Sequence, residues 1–151
     1  MSSTLNRGGP PQTAESQHRR TLVIWAAMLA SLAGYFALAY ALRPRPAEGA
    51  TANDAVSLAL LGAGAAFVLA SFIVKNRLLS RAVAEQSLKT ATSAYIVGMA
   101  LAEAAGLLGL ASSFVLGGGF PDLLFLVSGV GLLLHYPRGE DFHAARHVTE
   151  H

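Results

Sequence analysis

The apolar residues of this chain fall in long blocks, and all but a few of the charged residues lie between the blocks. Amphipathic soluble helices and strands would instead alternate apolar and polar positions with a period of 3.6 or 2. The blocks cover residues 21–42, 54–74, 91–116 and 120–136. The first three reach the ~20 residues that a helix needs to cross a bilayer, and the fourth is short. Arg43-Pro44-Arg45-Pro46 breaks the chain after the first block, and Asn53 or Asp54 is suited to cap the second helix. A polar connection over residues 75–89 separates the second and third blocks, and part of it should continue the flanking helices. Gly117-Gly118-Gly119 then makes a tight turn, Pro121 fits the first turn of a helix, and Pro137 ends that helix. The pattern predicts an all-α fold, a four-helix transmembrane bundle. A flexible polar tail (1–20) should precede it, and a charged tail (137–151) should follow.

Composition supports the same reading. Hydrophobic residues make up 53% of the 151 and charged residues 13%, against about a quarter charged in a soluble domain. Most of the chain therefore has no water to face. With no cysteine, disulfides, thiolate metal sites and cysteine nucleophiles are excluded. Arg19-Arg20 before the first block and Ala39-Tyr40-Ala41 at its end also fit a cleaved signal peptide. A cleavable apolar region runs to ~15 residues, however, and this block is longer.

The charges predict orientation. Arg7, Arg19, Arg20, Lys75, Arg77, Arg81, Lys89, Arg138 and Arg146 fall on one side of the alternating spans, with Arg43 and Arg45 on the other. Lysine and arginine favour the cytoplasmic side, so both termini and the 75–89 connection should be cytoplasmic. These basic residues flank apolar blocks and form no single patch, so no nucleic-acid partner is expected. The expected surroundings are an inner or plasma membrane, its lipid bilayer, and other membrane subunits or copies of this chain.

Helices in lipid associate through close packing of small residues and interhelical hydrogen bonds. Gly62, Ala66 and Ala70 line up at intervals of four in the second span, and Gly98, Ala102 and Gly106 do so in the third. These two runs predict a close antiparallel hairpin. Ala30 and Gly34 offer the first span a weaker face of the same kind.

Glu103 is the residue most able to carry chemistry. It stands near the middle of the third span, where a carboxylate costs roughly 2.5–3.5 kcal/mol to insert. It should therefore be neutral, or face a hydrated cavity, a polar cluster or another protein. Ser31, Tyr35, Ser71, Tyr95 and Ser112 are its candidate hydroxyl partners. Two roles follow: binding of a proton or cation, or a helix-to-helix lock.

The stretch from Tyr95 through Gly98, Glu103 and Gly109 to Leu110 resembles the carboxylate helix of the c subunit of rotary F-type ATP synthases. Leu61-Gly62-Ala63-Gly64-Ala65-Ala66 is similar to the glycine-rich first helix of that family. The resemblance covers about residues 57–116 and leaves one span on each side. It implies that Glu103 is an ion-binding carboxylate and that Gly62 and Gly64 are helix-packing glycines.

His143, His147 and His151 recur every four residues, the spacing of ligands on one helix face, and make His143 and His147 weak metal candidates. As a tail, the segment is expected to be solvated instead. His135 at the end of the fourth span could ligate a haem or pigment, or simply anchor the interface beside Tyr136. No cofactor is expected. The glycines at 117–119 lack the Lys-Ser/Thr of a phosphate loop, and no nucleophile–base pair can be proposed. The expected function is a small non-catalytic integral membrane protein, a subunit or accessory factor of a larger membrane complex. The alternative is proton or cation translocation through a c-like hairpin carrying Glu103.

Overall fold

The computed structural model describes residues 13–42, 54–115 and 120–146, and every regular element among them is helical. The elements are α1 (Ala14–Leu42), α2 (Asp54–Ala84), α3 (Leu88–Val115), α4 (Pro121–Leu134) and α5 (Gly139–Ala144). The loop at 43–53 and the glycine turn at 117–119 lie outside the described residues, as do His147 and His151.

Three helices are long and apolar enough to cross a membrane: α1 with 29 residues, α2 with about 30 and α3 with 28. The fourth is not comparable. Its 14 residues rise about 21 Å, short of the ~30 Å hydrocarbon layer.

The helices outrun their apolar blocks. α1 starts at Ala14, inside the segment expected to be a flexible tail, because Thr13 caps it. The Thr13 hydroxyl accepts from the Ser16 amide at 3.2 Å, and the Ser16 hydroxyl donates to the Thr13 carbonyl at 2.8 Å. α2 continues through most of the polar connection to Ala84. The turn that follows is tight. The Ser87 amide donates to the Ala82 carbonyl at 2.9 Å and the Gln86 amide to Val83 at 3.3 Å, with Gln86 at φ 49°. This is the paired-bond helix stop usually built on glycine. Ser87 then caps α3 by accepting from the Thr90 amide at 3.2 Å.

α3 is the hub, packing against α1, α2, α4 and α5, while α1 and α2 flank it without packing appreciably on each other. Gln17 of α1 meets Thr92 of α3 and Ser31 meets Glu103, so α1 and α3 run parallel. α4 returns antiparallel to α3: Pro121 lies by Gly109, Gly131 by Ala102 and His135 by Gly98. The described start of the chain and its described end therefore meet at one end of the bundle, where α5 packs on α1.

The packing faces differ in part from the expectation. Gly98, Ala102 and Gly106 of α3 are all buried. On α2, however, Gly62 and Ala66 are exposed, Ala70 is half-buried, and a Cβ added at Gly62 would meet nothing within 4 Å. The inward face of α2 instead holds Ser57, Gly64 and Ser71, seven residues apart, and then Ala82. That stripe keeps one face toward a neighbouring helix over its whole length, whereas steps of four drift around it. Ala30 and Gly34 of α1 are likewise exposed.

Candidate functional site

Two polar constellations stand out, one midway along the bundle and one at the end where the described termini meet. The first is small. The Ser31 hydroxyl of α1 donates a hydrogen bond to Glu103 Oε1 of α3, and its other near acceptor is the Met28 carbonyl at 3.2 Å. Both residues are half-buried. Of the hydroxyls considered as partners of Glu103, Ser31 is the one that bonds it among the described residues. Ser71 bonds the Val68 carbonyl at 2.6 Å, Ser112 bonds the Gly109 carbonyl at 2.9 Å, and Tyr95 belongs to the other constellation. Glu103 thus finds its partner on α1, outside the α2–α3 hairpin to which the resemblance is confined.

The second constellation is larger and was not foreseen. The Tyr95 hydroxyl donates to Asp141 Oδ2 and accepts from the Arg138 backbone amide at 3.1 Å. The Phe142 ring stacks on Tyr95 at 5.6 Å with the planes 11° apart, and it is fully buried. His18 of α1 closes the other side. Its Nε2–H must donate to the Pro137 carbonyl at 3.1 Å, because a carbonyl only accepts. The Lys75 ammonium lies 5.4 Å from the Tyr95 ring centre and 5.6 Å from that of Phe72, within cation–π range.

His135 lies beneath this group and is fully buried. Its Nδ1–H donates to the Gly131 carbonyl at 2.7 Å, which leaves Nε2 as the unprotonated nitrogen, without a hydrogen-bond partner among the described residues. Such a histidine has the orientation of a metal or haem ligand. Its surroundings are nevertheless protein: Phe72 lies 4.4 Å away ring to ring, and a Cβ at Gly98 would stand 2.9 Å from Nε2 and 3.2 Å from the Lys75 Cβ. The ring is enclosed by side chains where a macrocycle would need space. Its place is the interior of the bundle end, not the interface beside Tyr136.

His143 is exposed on α5, and no group of three or more metal-ligating side chains occurs among the described residues. Trp25 of α1 has a specific task. Its indole N–H donates to the Leu132 carbonyl at 2.8 Å, and its ring meets Tyr136 edge-on at 5.2 Å, tying α1 to the end of α4. Asp141 was missed because nothing about an acid in a charged tail marks it out. Phe142 offered a signal, as a large apolar residue standing alone among charged ones.

No protein-family description, no curated protein and no solved structure matches this chain.

Proposed function

We propose that this chain is a small multi-pass membrane protein of the inner or plasma membrane, without catalysis of its own, serving as a subunit or accessory factor of a larger membrane assembly. Three long apolar helices support membrane residence. In this reading α4 completes a fourth crossing, since its C-terminal end returns to the level of Trp25, close to where the apolar block of α1 begins. Both termini are then cytoplasmic, at the end that carries Arg19, Arg20, Arg77, Arg81, Lys89 and Arg138.

One observation carries the accessory role. The small-residue faces of Gly62 and Ala66 on α2, and of Ala30 and Gly34 on α1, are left outward, although such faces serve close helix approach in lipid. The groups that could do chemistry are meanwhile engaged within the fold: Glu103 by Ser31, Asp141 by Tyr95, and His135 Nδ1 by Gly131. Native mass spectrometry of the tagged protein, extracted from its own membrane in mild detergent, tests this. Stoichiometric foreign subunits are the expected result, and a mass built only from copies of this chain would overturn it.

A second reading, proton or cation binding at Glu103, is favoured by one feature. Glu103 is half-buried, and only one of its carboxyl oxygens has a partner among the described residues. It predicts slow labelling of Glu103 by a hydrophobic carbodiimide, suppressed at high pH or by the coupling ion. An unreactive Glu103 would remove this reading.

A further inference from the structure

Near its C-terminal end α2 turns a shallow notch of about 450 Å³ outward, lined by Val74, Arg77, Leu78, Ser80 and Arg81. Arg77 and Arg81 are both exposed and stand four residues apart, so two like charges occupy one face of one helix. Like charges at this spacing repel, and neither guanidinium has a hydrogen-bonding or ionic side-chain partner among the described residues. The nearest acid along the helix, Glu85, lies one turn beyond Arg81 and accepts from the Thr90 hydroxyl at 3.4 Å. The comparable pair on α1 is different: Glu15 lines the same hollow as Arg19 and Arg20. Among the described residues, no acid lines the notch of the α2 pair.

Below the arginines the surface turns apolar. Leu69 is 66% exposed and Ile73 57% exposed, and Val74 and Leu78 form part of the notch itself. A cation pair directly above an exposed apolar strip matches an amphiphile with an anionic head and hydrocarbon tails. We propose that Arg77 and Arg81 bind the phosphate of an anionic phospholipid, whose acyl chain lies along Leu69, Ile73 and Val74. The two planar guanidinium groups present paired N–H donors to phosphate oxygens, in a geometry that one lysine could not supply. Ser80 lines the wall but has already donated its hydroxyl to the Asn76 carbonyl at 3.0 Å, so it is not a phosphate donor. A free phosphate would satisfy the arginines and leave the apolar strip unused, which is why the lipid is the occupant chosen. The site rests on the membrane-embedded reading above.

The test uses the full chain, delipidated in mild detergent and titrated with phosphatidylglycerol, phosphatidylcholine or inorganic phosphate, with bound species counted by native mass spectrometry. One phosphatidylglycerol should be retained about tenfold more tightly than phosphatidylcholine, and phosphate should not bind in the same range. Arg77→Gln with Arg81→Gln should abolish the preference, the two Arg→Lys changes should weaken it, and Arg19→Gln with Arg20→Gln should leave it. These positions are exposed, so unchanged helical circular dichroism will show that each variant folds. Equal retention of the two lipids, an unchanged preference in the α2 variant, or equal loss in both glutamine pairs would overturn the site. Phosphate binding as tight as phosphatidylglycerol would overturn the lipid as its occupant. Alkaline carbonate extraction separates the two levels: release of the protein would overturn the membrane reading, whereas an embedded protein indifferent to lipid charge would overturn this site alone.

Discussion

Ser31 and Glu103 stand midway along two parallel helices and share a hydrogen bond that joins α1 to α3. In lipid an interhelical hydrogen bond contributes about 0.6 to 2 kcal/mol. Ser31→Ala should lower the stability of the bundle by about that amount in thermal or detergent unfolding. Glu103→Gln should leave stability close to wild type, because an amide oxygen still accepts from Ser31. The double variant Ser31→Ala with Glu103→Ala should lose less than the two single changes together. Full additivity would show that the contact carries no coupling.

Two glycines with the same look in sequence should behave in opposite ways. A methyl at Gly98 would stand 2.8 Å from the His135 ring, inside any real contact distance, and the ring is held by its bond to the Gly131 carbonyl. Gly98→Ala should therefore cost about 1–3 kcal/mol, the usual penalty of overpacking. Gly62→Ala has open space around it and should be neutral, or stabilising by up to about 1 kcal/mol through helix propensity. Melting curves of the two variants in one detergent decide this. Gly62→Leu should likewise spare the isolated chain, while reducing recovery of the foreign subunits expected in native mass spectrometry.

The chain has one tryptophan, so its fluorescence reports on a single place. Trp25 bonds the Leu132 carbonyl and packs on Tyr136 at the basic end of the bundle. In nanodiscs its emission should be quenched more by lipids brominated near the headgroup than by lipids brominated near the chain ends. Stronger deep quenching would mean that α1 sits in the bilayer at a different height. Trp25→Phe should lose about 1 kcal/mol of stability through the missing donor.

α5 is held down by few contacts, and their removal should be local. Tyr95→Phe takes away the donor to Asp141 and the acceptor of the Arg138 amide, and Phe142→Ala removes the buried ring that stacks on Tyr95. Either change should raise amide hydrogen exchange over residues 138–145 about tenfold or more, the factor that 1.4 kcal/mol represents. Exchange in the middle of α3 should stay as it was. A uniform rise along the chain would show that this end of the bundle unfolds together with its core.

Block hydrophobicity alone determined that the chain is helical and that three of its helices have the length and composition of membrane spans, because no other regular structure satisfies the backbone in lipid without partner strands. It also marked Glu103 as an isolated acid among apolar residues, and Gly98, Ala102 and Gly106 as a close-packing face. Periodicity could not tell which way α2 faces. Steps of four and steps of seven both read as small-residue stripes along it, and the choice of Ser57, Gly64 and Ser71 over Gly62 and Ala66 depends on where α3 and α4 lie. The capping by Thr13 and the Gln86 turn show why helix ends were misplaced: a side-chain cap and a paired-bond stop, not hydropathy, set where α1 begins and α2 ends. The meeting of Tyr95 with Asp141 and Phe142, 46 and 47 positions away in the chain, was beyond local reading altogether. Local propensity and hydropathy act over a few turns and decide what each segment becomes. Only the return of α4 along α3 decides which distant residues share a place, and that depends on how four helices fill one volume.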